Sequence, residues 1–189
     1  MHTATIFEAL IIAITEQQLG LPVAVRLRKR LVERYGDVLT VGGKNYRAFP
    51  TPLALSKAKP SDIRNAGLST RKAEYIVDIA KRVAEGRLDL EKMKKWPVKQ
   101  VSNTLTKIKG VGPWTVEYMM LRGMGRYDAL PADDIALRSS VTDFLGGEER
   151  VSASKVRAVL KPFGKYKGYA AFYILYTYAL QKYPQESLL

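Results

Sequence analysis

Cysteine is absent from all 189 residues, and histidine occurs once, as His2. The first absence excludes disulfides, thiolate zinc sites and iron–sulfur clusters. The second excludes a His-based triad and any two-His metal site, so enzyme chemistry here would rest on carboxylates, hydroxyls or lysines. The chain has no run of the ~18 apolar residues that a membrane helix needs, and no span is expected. Met1-His2-Thr3 lacks a basic segment followed by a cleavable apolar one, so a secretory signal is not expected. Acidic residues are scarce: 18 Asp plus Glu face 31 Lys plus Arg, a net charge of +13. That excess favours a polyanionic partner, usually nucleic acid.

With 47% hydrophobic residues, the chain can bury the core of one compact domain or two small lobes. The apolar spacing is helical almost throughout. Thr5-Ile6-Phe7-Glu8 reads as a capping box, with Ile6, Phe7, Leu10, Ile11 and Ile14 on one face of a helix that runs up to Gly20. A second helix spans about Leu21 to Tyr35 and stops at Gly36. Residues 37–52 read as a connector whose Val38–Val41 run suits a strand but has no visible partner. Ser61 or Asp62 is expected to cap a short helix ending at Gly67. Ser69 or Thr70 opens the next, which runs to Gly86. Further helices are expected from Val98 into a turn at Lys109–Pro113, from Pro113 to about Gly123, and over 134–145, 152–161 and 167–182. The fold class is all-α, with short connections that pair neighbouring helices.

The most informative stretch is Leu105–Arg138. Two glycines, Gly110 and Gly112, flank Val111 and allow backbone angles closed to other residues. Pro113 suits the first turn of the helix that follows. Bare N–H groups and a helix N-terminus can together hold a phosphate. The hairpin set is Gly110, Val111, Gly112, Trp114 and Thr115. Carbonyls on the far side of the turn, those of Thr106, Ile108 and Val111, can hold a bridging monovalent cation. A plain glycine-rich connector would share the G-x-G pattern. Ending twenty residues past Trp114, Leu130-Pro131-Ala132-Asp133-Asp134 places two acids at the start of another helix.

Ile108–Thr115 resembles the hairpin of the helix-hairpin-helix DNA glycosylases, and Leu130–Asp134 resembles the loop that holds their essential aspartate. The likeness is to the branch of 3-methyladenine DNA glycosylase II. It extends to Phe7-Glu8-Ala9-Leu10 with Gln17-Gln18, to Phe49-Pro50-Thr51-Pro52, and to Tyr169-Ala170 with Tyr176-Thr177. The resemblance implies a two-lobed helical fold over residues 1–189, with the helix-hairpin-helix at about 98–123. It implies Asp134 as the catalytic aspartate, leaving Asp133 as the helix cap. Bifunctional members carry a lysine where this chain has Trp114, and an indole cannot form an imine. A monofunctional enzyme is therefore implied, with water as the nucleophile and neither a cofactor nor an iron–sulfur cluster. Gln18, with Leu19 beside it, matches the intercalating wedge. Bacterial members of this branch also carry an N-terminal β-rich domain that this sequence lacks, so the chain is expected to be a compact member or a piece of a longer protein. The implied partner is double-stranded DNA with damaged bases. The implied state is a monomer, cytoplasmic and at the nucleoid in a prokaryote or nuclear in a eukaryote.

Removing a base breaks an N-glycosidic bond and leaves positive charge on the sugar. Asp134 can stabilise that charge or orient water as a base. The target atom is hidden in a duplex, so the nucleotide must flip into a pocket. Trp114 and Tyr118, one helical turn apart, are expected to stack on the flipped base, with Tyr176 as a further wall. A base alkylated at a ring nitrogen is a cation, which an aromatic wall attracts by roughly 0.5–2 kcal/mol. Two other readings share much of this pattern. A non-catalytic helix-hairpin-helix DNA-binding module needs the glycines but not Asp134. A related glycosylase for deaminated or mismatched bases differs only in pocket shape.

Overall fold

The computed structural model describes residues 2–183. Its first helix, α1 (Ile6–Glu16), opens on Thr5, whose hydroxyl accepts from the Glu8 N–H at 3.0 Å. The Glu8 carboxylate reaches back to the Ala4 N–H rather than to Thr5, so the expected box closes one residue early. Nine of the eleven residues of α1 are buried, which makes it the central rod of the molecule rather than an amphipathic surface helix. α2 (Leu21–Tyr35) covers one side of it, and Gly36 ends that helix as expected.

Residues 37–52 are more than a connector. β1 (Val38–Val41) pairs antiparallel with β2 (Lys44–Arg47), and Gly42-Gly43 forms the two-residue turn with φ of +56° and +76°. A Gly-Gly pair with both φ positive is the turn chemistry of a tight hairpin. Lys44–Arg47 alternates no apolar residues and every residue of both strands is exposed, so burial patterning could not reveal it.

Two short helices follow, α3 (Pro52–Ser56), capped by Thr51, and α4 (Pro60–Asn65). Neither Ser61 nor Asp62 caps α4. Lys59 holds that position without a side-chain bond, and Pro60 begins the helix. Asp62 lies in the first turn, 3.9 Å from Arg34. Ser69 caps α5 (Thr70–Ala84) as expected. α6 (Leu90–Met93) is a single turn capped by Asp89, too short for a periodic signal. α7 (Val98–Leu105) and α8 (Pro113–Arg122) flank the hairpin turn.

The remaining helices are α9 (Ile135–Phe144), α10 (Ala153–Leu160) and α11 (Lys167–Lys182), with a 3₁₀ segment over Lys161–Tyr166 before α11. They enclose a second, smaller core of Leu130, Ala132, Leu137, Val141, Val156, Leu160 and Ala171. Ala129 belongs to the larger core and Leu130 to the smaller. The two-lobed expectation therefore holds, and the segment ending at Asp134 runs along the junction. α11 meets that segment closely at Gly168, where a Cβ would lie 1.9 Å from the Ala129 carbonyl oxygen. No helix among the described residues is long and apolar enough to cross a membrane.

Candidate active site

The hairpin turn uses its two glycines differently. Gly110 has φ +83°, and a Cβ there would come within 2.1 Å of the Tyr75 ring. Gly112 has φ −97°, open to any residue, and a Cβ there would meet nothing within 4 Å. The expectation that both glycines adopt special backbone angles is corrected: Gly110 does, while Gly112 leaves an open approach to the backbone.

No side chain caps α8, and its first intrahelical bond runs from Val116 N–H to the Gly112 carbonyl. Pro113 has no N–H to offer, so the Trp114 and Thr115 amides remain as helix-start donors. The Thr115 side chain is 1% exposed and faces inward. Its hydroxyl receives the Gln17 Nε2–H at 2.9 Å, and the same nitrogen donates to the Gly110 carbonyl at 2.8 Å. One amide thus ties the end of α1 to the hairpin.

Past α1 the chain turns through Gln18, whose φ of +57° is the one positive value outside glycine among the described residues. Such a conformation costs a non-glycine residue about 1–2 kcal/mol. Lys72 holds the turn from below, its ammonium donating to the Thr15 and Gln17 carbonyls at 2.9 and 2.6 Å. Gln18 and Leu19 are exposed and stand between two concavities, lining both.

The larger concavity is a cleft of about 810 Å³ at the lobe junction. Asp134 lines it and is the N-cap of α9, its Oδ1 accepting from the Leu137 N–H at 2.8 Å. Oδ2 accepts from the Trp114 indole N–H at 2.9 Å. Burial raises the Asp134 carboxyl above its usual range, while the hydrogen bonds from Leu137, Trp114 and Ala136 pull it back. The expectation that Asp133 caps the helix is therefore corrected. Asp133 is exposed and pairs with Arg157 at 3.6 Å. Arg157 also donates to Glu117 of α8 and to the Leu130 carbonyl, bracing the loop from outside. Capping and candidate chemistry fall on the same carboxylate, which leaves it no freedom to turn.

Trp114 lines the cleft. Tyr118 does not: it sits behind Trp114, ring centroids 5.4 Å apart, and its hydroxyl donates to Glu16 Oε2 at 2.9 Å. Burial and the neighbouring carboxylate push that hydroxyl far above its ordinary value, so it stays a donor. The expected Trp114–Tyr118 wall is one ring deep at the cleft, with Tyr118 supporting it. Tyr176 also departs from expectation. It is 51% exposed and stacks on Phe172 outside the cleft. Leu175, Tyr178, Ala179 and Lys182 of α11 line the cleft instead. The aromatic run of α11 is too dense for a helical period to choose among its rings; the packing of Gly168 against residues 127–129 and of Ala171 into the second core sets the rotation.

Sequence reasoning missed Glu16 and Lys72. Both line the cleft, and the one available signal was a charged residue directly after the apolar run of α1. Exposed Arg71, Arg150 and Lys182 surround the same opening. A basic rim, a held carboxylate, an indole wall and a helix-start amide cluster can bind a polyanion and act on a group inserted from it.

Known proteins share this fold. Residues 11–165 match the model of the HhH-GPD superfamily base excision DNA repair proteins. A DNA-3-methyladenine glycosylase of Bacillus subtilis is 32% identical over 169 residues, covering 89% of this chain and 56% of that protein. A 3-methyladenine DNA glycosylase structure from Archaeoglobus fulgidus superposes with a TM-score of 0.83 at 35% identity, over 93% of this chain and 59% of the other. The 3-methyladenine DNA glycosylase of Schizosaccharomyces pombe in complex with abasic DNA superposes with a TM-score of 0.80 at 26% identity, over 97% and 85%. The chain thus spans little more than half the length of the first two relatives. With the family model matching most of its length, the chain belongs to the HhH-GPD superfamily of base excision DNA repair proteins.

Proposed function

We propose that this chain carries a monofunctional DNA glycosylase site that hydrolyses the N-glycosidic bond of alkylated bases in double-stranded DNA. The observation that carries the proposal is Asp134, fixed at both oxygens beside Trp114 on a cleft large enough for a nucleotide. The hairpin amides of Gly110, Gly112, Trp114 and Thr115 grip backbone phosphate, with Val111 setting the turn through its own N–H bond to the Ile108 carbonyl, positioning the duplex without reading its sequence. Gln18, held rigid by Lys72, enters the stack where the damaged nucleotide leaves it.

As the C1′–N bond breaks, its electron pair goes to the base and positive charge appears on the sugar. The ionised Asp134 stabilises that charge. Water then adds at C1′ and gives up a proton, which a carboxylate of raised proton affinity is suited to take. Lys72 also lines the cleft, but its ammonium is engaged by two carbonyls, which supports hydrolysis over imine formation. The similarly named relatives support the alkylated-base reading.

We also propose that the carbonyls of Thr106, Ile108 and Val111 hold a monovalent cation next to the bound phosphate. The Ile108 oxygen accepts one hydrogen bond, from the Val111 N–H at 3.1 Å, and keeps a second lone pair. Potassium or sodium should then tighten DNA binding relative to tetramethylammonium at equal ionic strength. A monomer is expected, checked by light scattering with and without DNA.

The test of activity is single-turnover release of bases from methylated duplex DNA by the wild type and Asp134→Asn. Release of 3-methyladenine or 7-methylguanine, lost in the variant while DNA binding persists, is expected. Binding without release from this substrate, or release unaffected by the substitution, would overturn the assignment. Borohydride trapping on abasic DNA should yield no covalent adduct.

A further inference from the structure

Behind the indole wall lies a second carboxylate that the reaction above does not use. Glu16 is the last residue of α1, and its side chain is only 14% exposed yet still lines the cleft. Oε2 accepts from the Tyr118 hydroxyl at 2.9 Å, and Oε1 accepts from Arg28 Nη1 at 3.4 Å. Burial raises the Glu16 carboxyl, while Arg28, the Tyr118 hydroxyl and Arg122 favour its ionised form. An ionised carboxylate has about four lone-pair sites, so these bonds leave acceptor capacity. Arg122 lies behind the same wall, its guanidinium 5.6 Å from the Tyr118 ring and 5.4 Å from the Phe172 ring. The cleft is thus polarised. Its exposed cations, Arg71, Arg150 and Lys182, stand at the rim, where the exposed carboxylate of Asp133 is paired with Arg157. Its part-buried carboxylates, Glu16 and Asp134, stand inside with the part-buried cation Lys72, whose ammonium is engaged by the Thr15 and Gln17 carbonyls. A rim of that sign suits phosphates, and an interior of that sign suits a positively charged insert.

Resting on the glycosylase reading, we infer that Glu16 is a specificity-determining residue that selects cationic bases as they enter the cleft. The two carboxylates divide the reaction between them. Asp134 faces charge that develops on the sugar in the transition state. Glu16 faces charge already present on an alkylated base, and that charge disappears as the base leaves. Its attraction therefore favours capture and slightly opposes departure. Such an interaction appears in kcat/KM through KM, not in a raised kcat. A neutral base gains nothing from Glu16.

The test is single-turnover kinetics across enzyme concentration, on duplexes carrying one 7-methylguanine, which is cationic, or one hypoxanthine, which is neutral. Glu16→Gln keeps an oxygen for the Tyr118 hydroxyl and removes the charge. The capture efficiency for 7-methylguanine relative to hypoxanthine should fall on the order of tenfold. The saturating rate on 7-methylguanine should stay level or rise. Tyr118→Phe removes the hydrogen bond but keeps the charge, and should leave the ratio unchanged. Equal losses on both bases in Glu16→Gln, or an equal loss of the ratio in Tyr118→Phe, would mean that Glu16 only braces the wall, overturning the inference but not the glycosylase reading. Failure of the wild type to release either base would overturn both.

Discussion

The two hairpin glycines should separate folding from DNA binding. Gly110→Ala forces a φ of +83° on a residue with a Cβ, and drives that Cβ to 2.1 Å from the Tyr75 ring. The backbone strain costs about 1–2 kcal/mol. Displacing the partly buried ring adds an overpacking cost of about 1–3 kcal/mol. A total near 3 kcal/mol would lower Tm by about 6–12 °C in a domain of this size. Gly112→Ala meets neither cost: its φ is −97° and nothing lies within 4 Å of the new methyl. Its stability should stay within about 0.5 kcal/mol of the wild type. On the proposed function, the open side of Gly112 is where a phosphate approaches. A methyl there would lengthen one or two charge-assisted hydrogen bonds, each worth about 1.5–3 kcal/mol, and weaken DNA binding about 10- to 100-fold. Thermal melts and fluorescence-anisotropy titrations on one undamaged duplex read both effects. The reasoning fails if Gly112→Ala melts as early as Gly110→Ala, or if it binds DNA as tightly as the wild type.

Trp114→Phe removes a hydrogen bond that favours the ionised Asp134, so the acid limb of the excision pH profile should move to higher pH; an unmoved limb would detach Trp114 from the tuning of Asp134. Asp134→Asn keeps one acceptor oxygen for the two donors, Leu137 and Trp114, and removes a part-buried charge, so its Tm should respond to pH differently from the wild type. Burial raises the folded-state pKa of Asp134, so the native state binds more protons than the unfolded state as pH falls, and the stability contribution is present below the ordinary aspartate value and lost as pH rises through the raised one. The wild type should therefore gain Tm relative to the variant as pH falls, and differential scanning calorimetry between pH 3 and 7 checks the sign. Lys72→Met frees the Thr15 and Gln17 carbonyls that fix the Gln18 turn. It should reduce base-flipping fluorescence of a 2-aminopurine placed beside the lesion more than it reduces binding to undamaged duplex; equal losses would assign Lys72 to phosphate contact instead.

Much of the helical frame was legible because apolar periodicity and caps act locally. Leu21–Tyr35 and Lys167–Lys182 coincide with their expected spans, and Ser69 caps where a serine should. The β1–β2 hairpin was not legible, since its strands carry no buried face and only Gly42-Gly43 announced the turn. The single turn at Leu90–Met93 was too short to show a period. Asp134 was visible through its motif, yet its capping role was assigned to Asp133, because either residue chemically suits the position. Local preference cannot separate adjacent aspartates; the packing of Leu130 and Ala132 into the second core does.

The sequence by itself determined the helical class, the absence of thiolate and paired-histidine chemistry, the basic excess that suits a polyanionic partner and the hairpin with its distant aspartate. Those properties follow from composition and from interactions within a few residues of chain. Tertiary structure alone decided that Gln17 ties α1 to the hairpin across 93 residues, that Glu16 shares a cleft with Asp134, and that Tyr118 stands behind Trp114 while Tyr176 faces outward. Each depends on how helices rotate and cross, and that is set by the summed packing of two cores, which no local pattern encodes.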